Sequence, residues 1–318
     1  MKTVVVGCGS WGTAFARILA DRGHEVTLAC RDAEQARTIA ATGRNPRYST
    51  RVDLTGVAAA PFDDAPIAAA DLVVLAVPSR AYSEVAASLP GKAPVLSLTK
   101  GLDPATGARL STRVQGRPVA VLSGPNIAEE IAEGLPTAAV VASEDAALAE
   151  ELQHAINSVA FRVYVNSDLV GVELCAAAKN VIALAAGGVD GLGLGDNAKA
   201  ALMTRGLSEM ARLGEAFGAR PETFSGLAGM GDLIVTCTSR HGRNRHAGEL
   251  IAQGATQEAA AAEIGQVVEG LTTAPVLRDL ARGHGIELPI TEGVCTVLEG
   301  RSLGDLVAGL MGRKPTEE

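Results

Sequence analysis

Aromatic side chains are scarce in this 318-residue chain: one Trp, three Tyr and five Phe make up 3% of it. Basic charge is also in deficit, with 28 Lys and Arg against 36 Asp and Glu and a net charge of −8. A nucleic-acid surface needs clustered cations, so no nucleic-acid partner is expected, and any anionic ligand must be met by a few local cations. Paired cysteine motifs are missing as well. The five cysteines, at 8, 30, 175, 237 and 295, include no C-x-x-C and are odd in number, which indicates neither a zinc knuckle nor a complete disulfide set and fits reduced thiols in a cytosol. His24, His154, His241, His246 and His284 form no i, i+4 pair or cluster with cysteine, so no metal is assigned. No uninterrupted apolar run reaches the length of a membrane span, since even Cys175–Ala186 is broken by Lys179 and Asn180. Val5-Val6-Gly7-Cys8 resembles a lipoprotein cleavage box superficially, but only Lys2 could serve as its basic region, and export is not expected.

Glycine, in contrast, is placed with purpose. Thr3-Val4-Val5-Val6 runs into Gly7-x-Gly9-x-x-Gly12 and then into Ala14-Phe15-Ala16-Arg17-Ile18-Leu19, an apolar strand, a glycine turn and an apparent helix. In that context Gly7 permits the tight turn, Gly9 lets the backbone approach a pyrophosphate, and Gly12 lets helix and strand pack closely. The helix N-terminus supplies free N–H donors and a partial positive charge. At the end of the second strand, Glu25–Cys30, the place where a carboxylate would hold an NAD ribose carries Arg31. A guanidinium there pairs with a 2′-phosphate and favours NADP(H), with NAD(H) as the second candidate. In the competing reading, Arg31 is a solvated loop charge and Asp32 takes the ribose.

Up to about Asn166, β-rich runs (Thr3–Val6, Val26–Cys30, Leu72–Val77, Val95–Leu98, Val119–Leu122, Ala138–Val141, Phe161–Val165) alternate with helical ones. That alternation predicts an α/β fold with an N-terminal Rossmann-like, doubly wound parallel sheet. From Asp168 onward the period becomes helical: Leu202, Met203, Leu207, Met210 and Leu213 trace an apolar face, and Arg205, Glu209 and Arg212 a wet one. The expected division is a dinucleotide-binding domain at 1–166 and an all-helical substrate and catalytic domain at 167–318, with the active site in the cleft between them. The tail after Gly312 is short and polar and is expected to fray.

Three stretches could carry chemistry. Glu173 to Ala186 reads as a helix of small apolar residues with Lys179 in its middle. An ammonium there either snorkels to solvent or faces a ligand cavity as a general acid or base. Asp232 follows the glycine-rich Gly226–Gly231, with Thr236 one turn on; it is either an N-cap or a partner for a cation. The basic run through Gly242, Arg243 and Asn244 offers backbone donors, a guanidinium and an amide to a phosphate, or else is a solvated loop. Lys100 follows the Val95–Leu98 strand, and Ser123-Gly124-Pro125-Asn126 ends the next; both places border the cleft in an open α/β sheet. Gly187 through Asp196 reads as a close-approach loop capped by Asp196.

Taken together, these stretches resemble the bacterial NAD(P)-dependent glycerol-3-phosphate dehydrogenases over nearly the whole chain. The resemblance is carried by Gly-x-Gly-x-Trp-Gly-Thr-Ala at 7–14, Asn45-Pro46-Arg47-Tyr48, Lys100-Gly101-Leu102, Ser123-Gly124-Pro125, Lys179-Asn180-Val181-Ile182-Ala183, 191–205, 226–244 and Val267-Val268-Glu269-Gly270. It implies that Lys179 is the catalytic acid/base, oriented with Asp232, and that Lys100 contacts both substrate and cofactor. Gly242, Arg243 and Asn244 would hold the substrate phosphate, with Gly124, Asn126 and Thr236 also at the substrate. Cofactor contacts would come from Gly7, Gly9, Ser10, Trp11, Gly12, Arg31, Tyr48, Ala128, Arg243, Val267 and Glu269. Two positions depart from the pattern: Asn126 stands where Ser or Thr is more usual, and Ser49-Thr50-Arg51 replaces Leu-Pro-Gly after Tyr48. The implied reaction is reversible reduction of dihydroxyacetone phosphate to sn-glycerol 3-phosphate for phospholipid synthesis, by a cytoplasmic homodimer. The rivals are a related hydroxyacid dehydrogenase and a non-catalytic NADP(H) sensor.

Overall fold

The computed structural model describes residues 1–304, so the expected frayed tail after Gly312 lies outside the described residues. Eight strands form one sheet: β1 (Lys2–Val6), β2 (Glu25–Cys30), β3 (Ala58–Pro61), β4 (Leu72–Leu75), β5 (Val95–Ser97), β6 (Val119–Ser123), β7 (Thr137–Ala142) and β8 (Phe161–Asn166). Their spatial order is 3-2-1-4-5-6-7-8. β3 through β6 are parallel throughout, and the order reverses between β1 and β4, the switch point at which open α/β sheets bind dinucleotides.

The sheet-half helices are α1 (Ser10–Asp21), α2 (Ala33–Thr42), α3 (Ser79–Ser88), α4 (Ala128–Ala132) and α5 (Ala146–Ile156). Because they cover both faces, the central strands are buried along their whole length and read as unbroken apolar runs; all four residues of Leu72-Val73-Val74-Leu75 are buried. One face packs on Phe15, Leu19 and Leu152, the other on Ile67, Tyr82 and Leu110.

Two details differ from the expected sheet. β7 runs antiparallel to β6, a reversal that strand composition does not encode. β3 is an additional edge strand whose Ala-Ala-Ala-Pro sequence has no β-branched or aromatic residue; its register onto Thr27–Cys30, with Pro61 at the end, keeps the proline out of the central ladder. A third correction concerns cysteine. Cys8 and Cys30 form a disulfide, with Cα atoms 5.3 Å apart. They close adjacent parallel strands, and that proximity is invisible to sequence spacing. Cys175, Cys237 and Cys295 are free and buried.

The helical half comprises α6 (Leu169–Gly191), α7 (Gly195–Ala216), α8 (Pro221–Ser225), α9 (Asp232–Thr238), α10 (Arg243–Ala252), α11 (Gln257–Ile264), α12 (Glu269–Gly283) and α13 (Pro289–Leu298). Its axis is α6. Asp168 caps the helix by accepting from Gly171 N, and the same carboxylate accepts from Arg220 N and Thr223 Oγ1, which fixes the start of α6 against α8. This helix is long and apolar enough to cross a membrane, but 89% of its most apolar window is buried against the rest of the protein.

Its glycines are packing devices. A Cβ at Gly187 would lie 1.8 Å from Arg245 O, one at Gly191 2.6 Å from Glu249 O, and one at Gly248 1.9 Å from Leu184 O. Backbones of α6 and α10 therefore touch. The expected close approach of Gly187 and Gly191 is present, but both lie inside α6, and α7 starts without a side-chain cap from Asp196. Glu209 does not lie on a wet face as its helical spacing predicts; it is 5% exposed because its carboxylate accepts the N-terminal amides of Ile290 and Thr291 in α13. Burial raises its pKa.

Candidate active site

The centre of the site is one carboxylate between two lysines. Lys179, near the middle of α6, donates from Nζ to Asp232 Oδ1 at 2.6 Å, and Lys100, just past β5, donates to Asp232 Oδ2 at 2.6 Å. Thr236, one turn along α9, accepts from Lys179 Nζ at 2.7 Å and its hydroxyl reaches Asp232 Oδ1 at 3.2 Å. Lys100 also donates to Gly124 O at 3.0 Å, the carbonyl just beyond β6. The Asp232 side chain is 1% exposed, that of Lys179 7% and that of Lys100 16%.

Each ammonium has three protons and spends two on protein acceptors, leaving one on each for a ligand. The cluster carries one net positive charge. Burial pulls the Lys179 pKa down to about 8, partly opposed by Asp232 and reinforced by Lys100. For Asp232, burial alone would favour the protonated form, but Lys100 and Lys179 outweigh it and hold the carboxyl below its ordinary range.

Local sequence explains this placement. Leu227–Gly231 forms a single π-helical turn directly before α9, a wide turn of the sort found at functional sites. A side chain at Gly229 could not fit, since its Cβ would sit 2.2 Å from Phe224 O. Asp232 is then the first residue of α9 with helical backbone angles, not its cap. Its side chain is directed at the lysines, which overturns the capping reading.

A second group surrounds the N-terminus of α10. Asn244, buried, donates from Nδ2 to Asn180 Oδ1 at 2.9 Å and accepts from Gly270 N at 2.9 Å. This ties α10 to α6 beside Lys179 and to the start of α12. Arg243 is exposed and donates to Gln266 Oε1 at 3.4 Å, and Ser10 Oγ reaches the same oxygen at 3.3 Å. Gln266 thus bridges the basic turn of the helical half to the glycine turn of the sheet half. Asn126 donates its amide to Ala138 O at 3.1 Å, while its Oδ1 is buried with no partner among the described residues.

The glycine turn fits a dinucleotide. Gly7 has φ +112°, and a Cβ there would lie 2.4 Å from Ala76 O; one at Gly12 would lie 2.0 Å from Gly7 O. At Gly9 nothing lies within 4 Å, so the turn is closed behind and open in front. Cys8 O accepts from Gln35 Nε2 and Asn45 Nδ2, fixing the loop. Trp11 Nε1 is a buried donor with no partner among the described residues.

Arg31 is exposed where β2 ends. Asp32, its competitor for the ribose, caps α2 by accepting from Glu34 N and Gln35 N and pairs with Arg47 at 2.8 Å. The amide of Glu34 is the main cause of its lowered pKa. Tyr48 is half-buried, with its backbone N–H on Asn45 Oδ1, and Ser49 beside it takes φ 47°. Ala128 opens α4 and is buried. Val267 is half-buried; Glu269 opens α12 and accepts from Ser79 N at 3.0 Å and Ser79 Oγ at 2.5 Å, joining the start of α3 to the helical half. Burial raises the Glu269 pKa in spite of those bonds.

Direct bonds therefore bring together Lys100, Gly124, Lys179, Asp232 and Thr236, and a bridging glutamine brings Ser10 to Arg243. Sequence reasoning does not single out Gln266, because an uncharged residue in a polar loop carries no composition signal.

The chain is similar to known proteins over nearly its whole length. The NAD-dependent glycerol-3-phosphate dehydrogenase N-terminus matches residues 2–149, and the C-terminus of the same family matches 168–307. Glycerol-3-phosphate dehydrogenase [NAD(P)+] of Moorella thermoacetica is 49% identical, covering 99% of this chain and 96% of its own. The enzyme of the same name from Nocardia farcinica is 46% identical over 98% of both. The crystal structure of glycerol-3-phosphate dehydrogenase from Coxiella burnetii superposes with a TM-score of 0.93 at 38% identity, covering 98% of this chain and 99% of its own. The chain belongs to the NAD(P)-dependent glycerol-3-phosphate dehydrogenase family.

Proposed function

We propose that Lys179, Asp232 and Thr236 carry the proton chemistry of an NAD(P)-dependent glycerol-3-phosphate dehydrogenase, acting on dihydroxyacetone phosphate in one direction and sn-glycerol 3-phosphate in the other. The enzyme is an oxidoreductase and uses NADP(H) or NAD(H). The observation that carries the assignment is the Lys179–Asp232 bond at 2.6 Å, with Thr236 taking a second lysine proton.

As the substrate carbonyl oxygen gains negative charge, the third proton of Lys179 is available to stabilise and then protonate it. Asp232 and Thr236 aim the ammonium and keep it charged. In the oxidative direction the neutral amine takes the proton back from the alcohol. Lys100 shares the carboxylate and adds a second cation beside the reacting oxygen. Gly242, Arg243 and Asn244 hold the phosphate, remote from the reacting carbon, so that binding energy fixes which face of the carbonyl is presented. Gly124 O sets Lys100, and Asn126 stands at the edge of the same space.

When bound, the nicotinamide cofactor supplies or accepts the hydride. Gly7, Gly9, Ser10, Trp11 and Gly12 would hold its pyrophosphate, Arg31 a 2′-phosphate, and Tyr48, Lys100, Ala128, Arg243, Val267 and Glu269 the remainder. The engagement of Asp32 in the α2 cap supports Arg31 over Asp32 at that position.

We read 1–166 as the cofactor domain and 167–318 as the catalytic domain. A homodimer, a cytoplasmic place of work and a supply of glycerol phosphate to phospholipids complete the proposal; family membership supports them.

The test is the loss of NADPH absorbance with dihydroxyacetone phosphate, repeated with NADH and with unphosphorylated dihydroxyacetone. Rapid, phosphate-dependent oxidation is the expected result. Turnover of a phosphate-free hydroxyacid or ketoacid instead, or NADPH binding with no oxidation, would overturn the reading.

A further inference from the structure

Gly242 caps α10, and Arg243 and Asn244 are its first two residues, so the placement of α10 against α6 and α9 sets the distance of the phosphate seat from Lys179. Arg245 is the next residue. Its Nε donates to Ser239 O at 3.1 Å, and its NH1 donates to Asp190 Oδ2 at 2.7 Å and to Glu249 Oε2 at 3.1 Å. Asp190 also pairs with Lys199 of α7. Burial would raise the Asp190 pKa, but Lys199 and Arg245 hold it low, so the carboxylate is charged.

These bonds link three elements. Ser239 is the residue directly after α9, which carries Asp232 and Thr236. Asp190 lies at the end of α6, about three helical turns beyond Lys179. Arg245 itself lies in the first turn of α10. The fit around the turn is tight: a Cβ at Gly242 would lie 2.8 Å from Thr236 O and 3.1 Å from Ser239 O. The turn is thus wedged between the helix bearing the proton relay and the helix it opens.

We infer that Arg245 and Asp190 form a strut that sets the separation between the phosphate seat and the Lys179 ammonium, making both positioning residues for the phosphorylated substrate. Neither needs to touch substrate. The guanidinium is suited to this because its planar fork can engage a backbone carbonyl and two carboxylates at once, which a lysine cannot reproduce. Partly buried, with its side chain 15% exposed, the pair is less screened than a surface bridge. The inference rests on the reading that 242–244 hold the substrate phosphate.

The experiment compares kcat/KM for dihydroxyacetone phosphate with kcat/KM for unphosphorylated dihydroxyacetone in wild type, Arg245→Met, Arg245→Lys and Asp190→Asn. Methionine keeps much of the apolar stem while removing the fork. The expected result is a fall of about tenfold in the ratio of the two values for Arg245→Met, expressed chiefly in the KM for the phosphorylated substrate, with partial recovery in Arg245→Lys. Asp190→Asn should lower the ratio in the same sense, and the double variant should be no worse than Arg245→Met, since coupled residues are non-additive.

A wild-type ratio in Arg245→Met and in Asp190→Asn overturns the strut, as does an equal loss with both substrates. If Arg245→Met does not fold, Asp190→Asn carries the test alone, because it leaves the bonds of Arg245 to Ser239 and Glu249 in place. A wild type indifferent to the phosphate would instead refute the phosphate reading, so the two failures are distinguishable.

Discussion

Lys100 and Lys179 hold opposite oxygens of one carboxylate: each Nζ is 2.6 Å from Asp232, Lys179 at Oδ1 and Lys100 at Oδ2. The lysines come from different halves of the molecule, one at the end of a sheet strand and one in the central helix. Asp232 therefore favours the charged form of Lys179 within the helical half and, through Lys100, ties that half to the sheet. A buried carboxylate flanked in this way must stay ionised, and two ammoniums remain tolerable only while it does.

The pH dependence follows from the Lys179 pKa, which burial lowers to about 8. Carbonyl reduction needs the protonated lysine, so kcat/KM for dihydroxyacetone phosphate should fall as pH rises through about 8. Oxidation of glycerol phosphate needs the free amine and should rise over the same range. Asp232 favours the charged lysine, so Asp232→Asn should move the inflection to lower pH. A profile that is flat from pH 7 to 9 in both directions would argue against Lys179 as the titrating group.

Thr236 offers a milder probe of the same relay. Thr236→Val preserves shape but removes the acceptor for one lysine proton, leaving a donor unsatisfied at a cost of about 1–3 kcal/mol. We expect kcat to drop by roughly tenfold or more, with the dissociation constant for NADPH near its wild-type value. Steady-state kinetics alongside a fluorescence titration with NADPH checks both halves of the expectation.

Arg243 is exposed and, among the described residues, its side chain makes one long hydrogen bond, to Gln266, so its removal should leave the fold intact. A charge-assisted bond to phosphate is worth about 1.5–3 kcal/mol. Arg243→Ala should therefore raise the KM for dihydroxyacetone phosphate by roughly 10- to 100-fold, with a thermal midpoint close to wild type. An unchanged KM would remove it from the anchor.

Arg31 decides between cofactors without touching the chemistry. Arg31→Ala should reduce the NADPH to NADH ratio of kcat/KM by about tenfold, mainly through a weaker hold on the 2′-phosphate. If the ratio stays constant, the 2′-phosphate is read elsewhere.

Much of this was legible before the structure. The glycine spacing at 7–12 after an apolar strand located the dinucleotide turn, because those glycines have steric reasons to exist: at 7 and 12 a Cβ would collide with backbone. A lysine among alanines pointed to Lys179 because burying an unpaired ammonium is costly. Other features depend on contacts between distant residues and leave no mark in the local sequence. The Cys8–Cys30 disulfide requires knowing that β1 and β2 are neighbours, and the burial of Glu209 requires the N-terminus of α13, 81 residues away in sequence. Asp232 resembled an N-cap because a glycine-rich run preceded it; only the π-helical turn places it inside the helix with its carboxylate facing the lysines. Gln266 and the Arg245–Asp190 pair are ordinary polar residues whose importance comes from what they join.

The central claim is that Lys179 delivers the proton, and it is tested most directly by measuring kcat and the NADPH dissociation constant side by side for Lys179→Ala. The account predicts a loss of turnover of about 10²- to 10⁴-fold with NADPH affinity within a few-fold of wild type. Turnover comparable to wild type would contradict it and return the ammonium to a structural role.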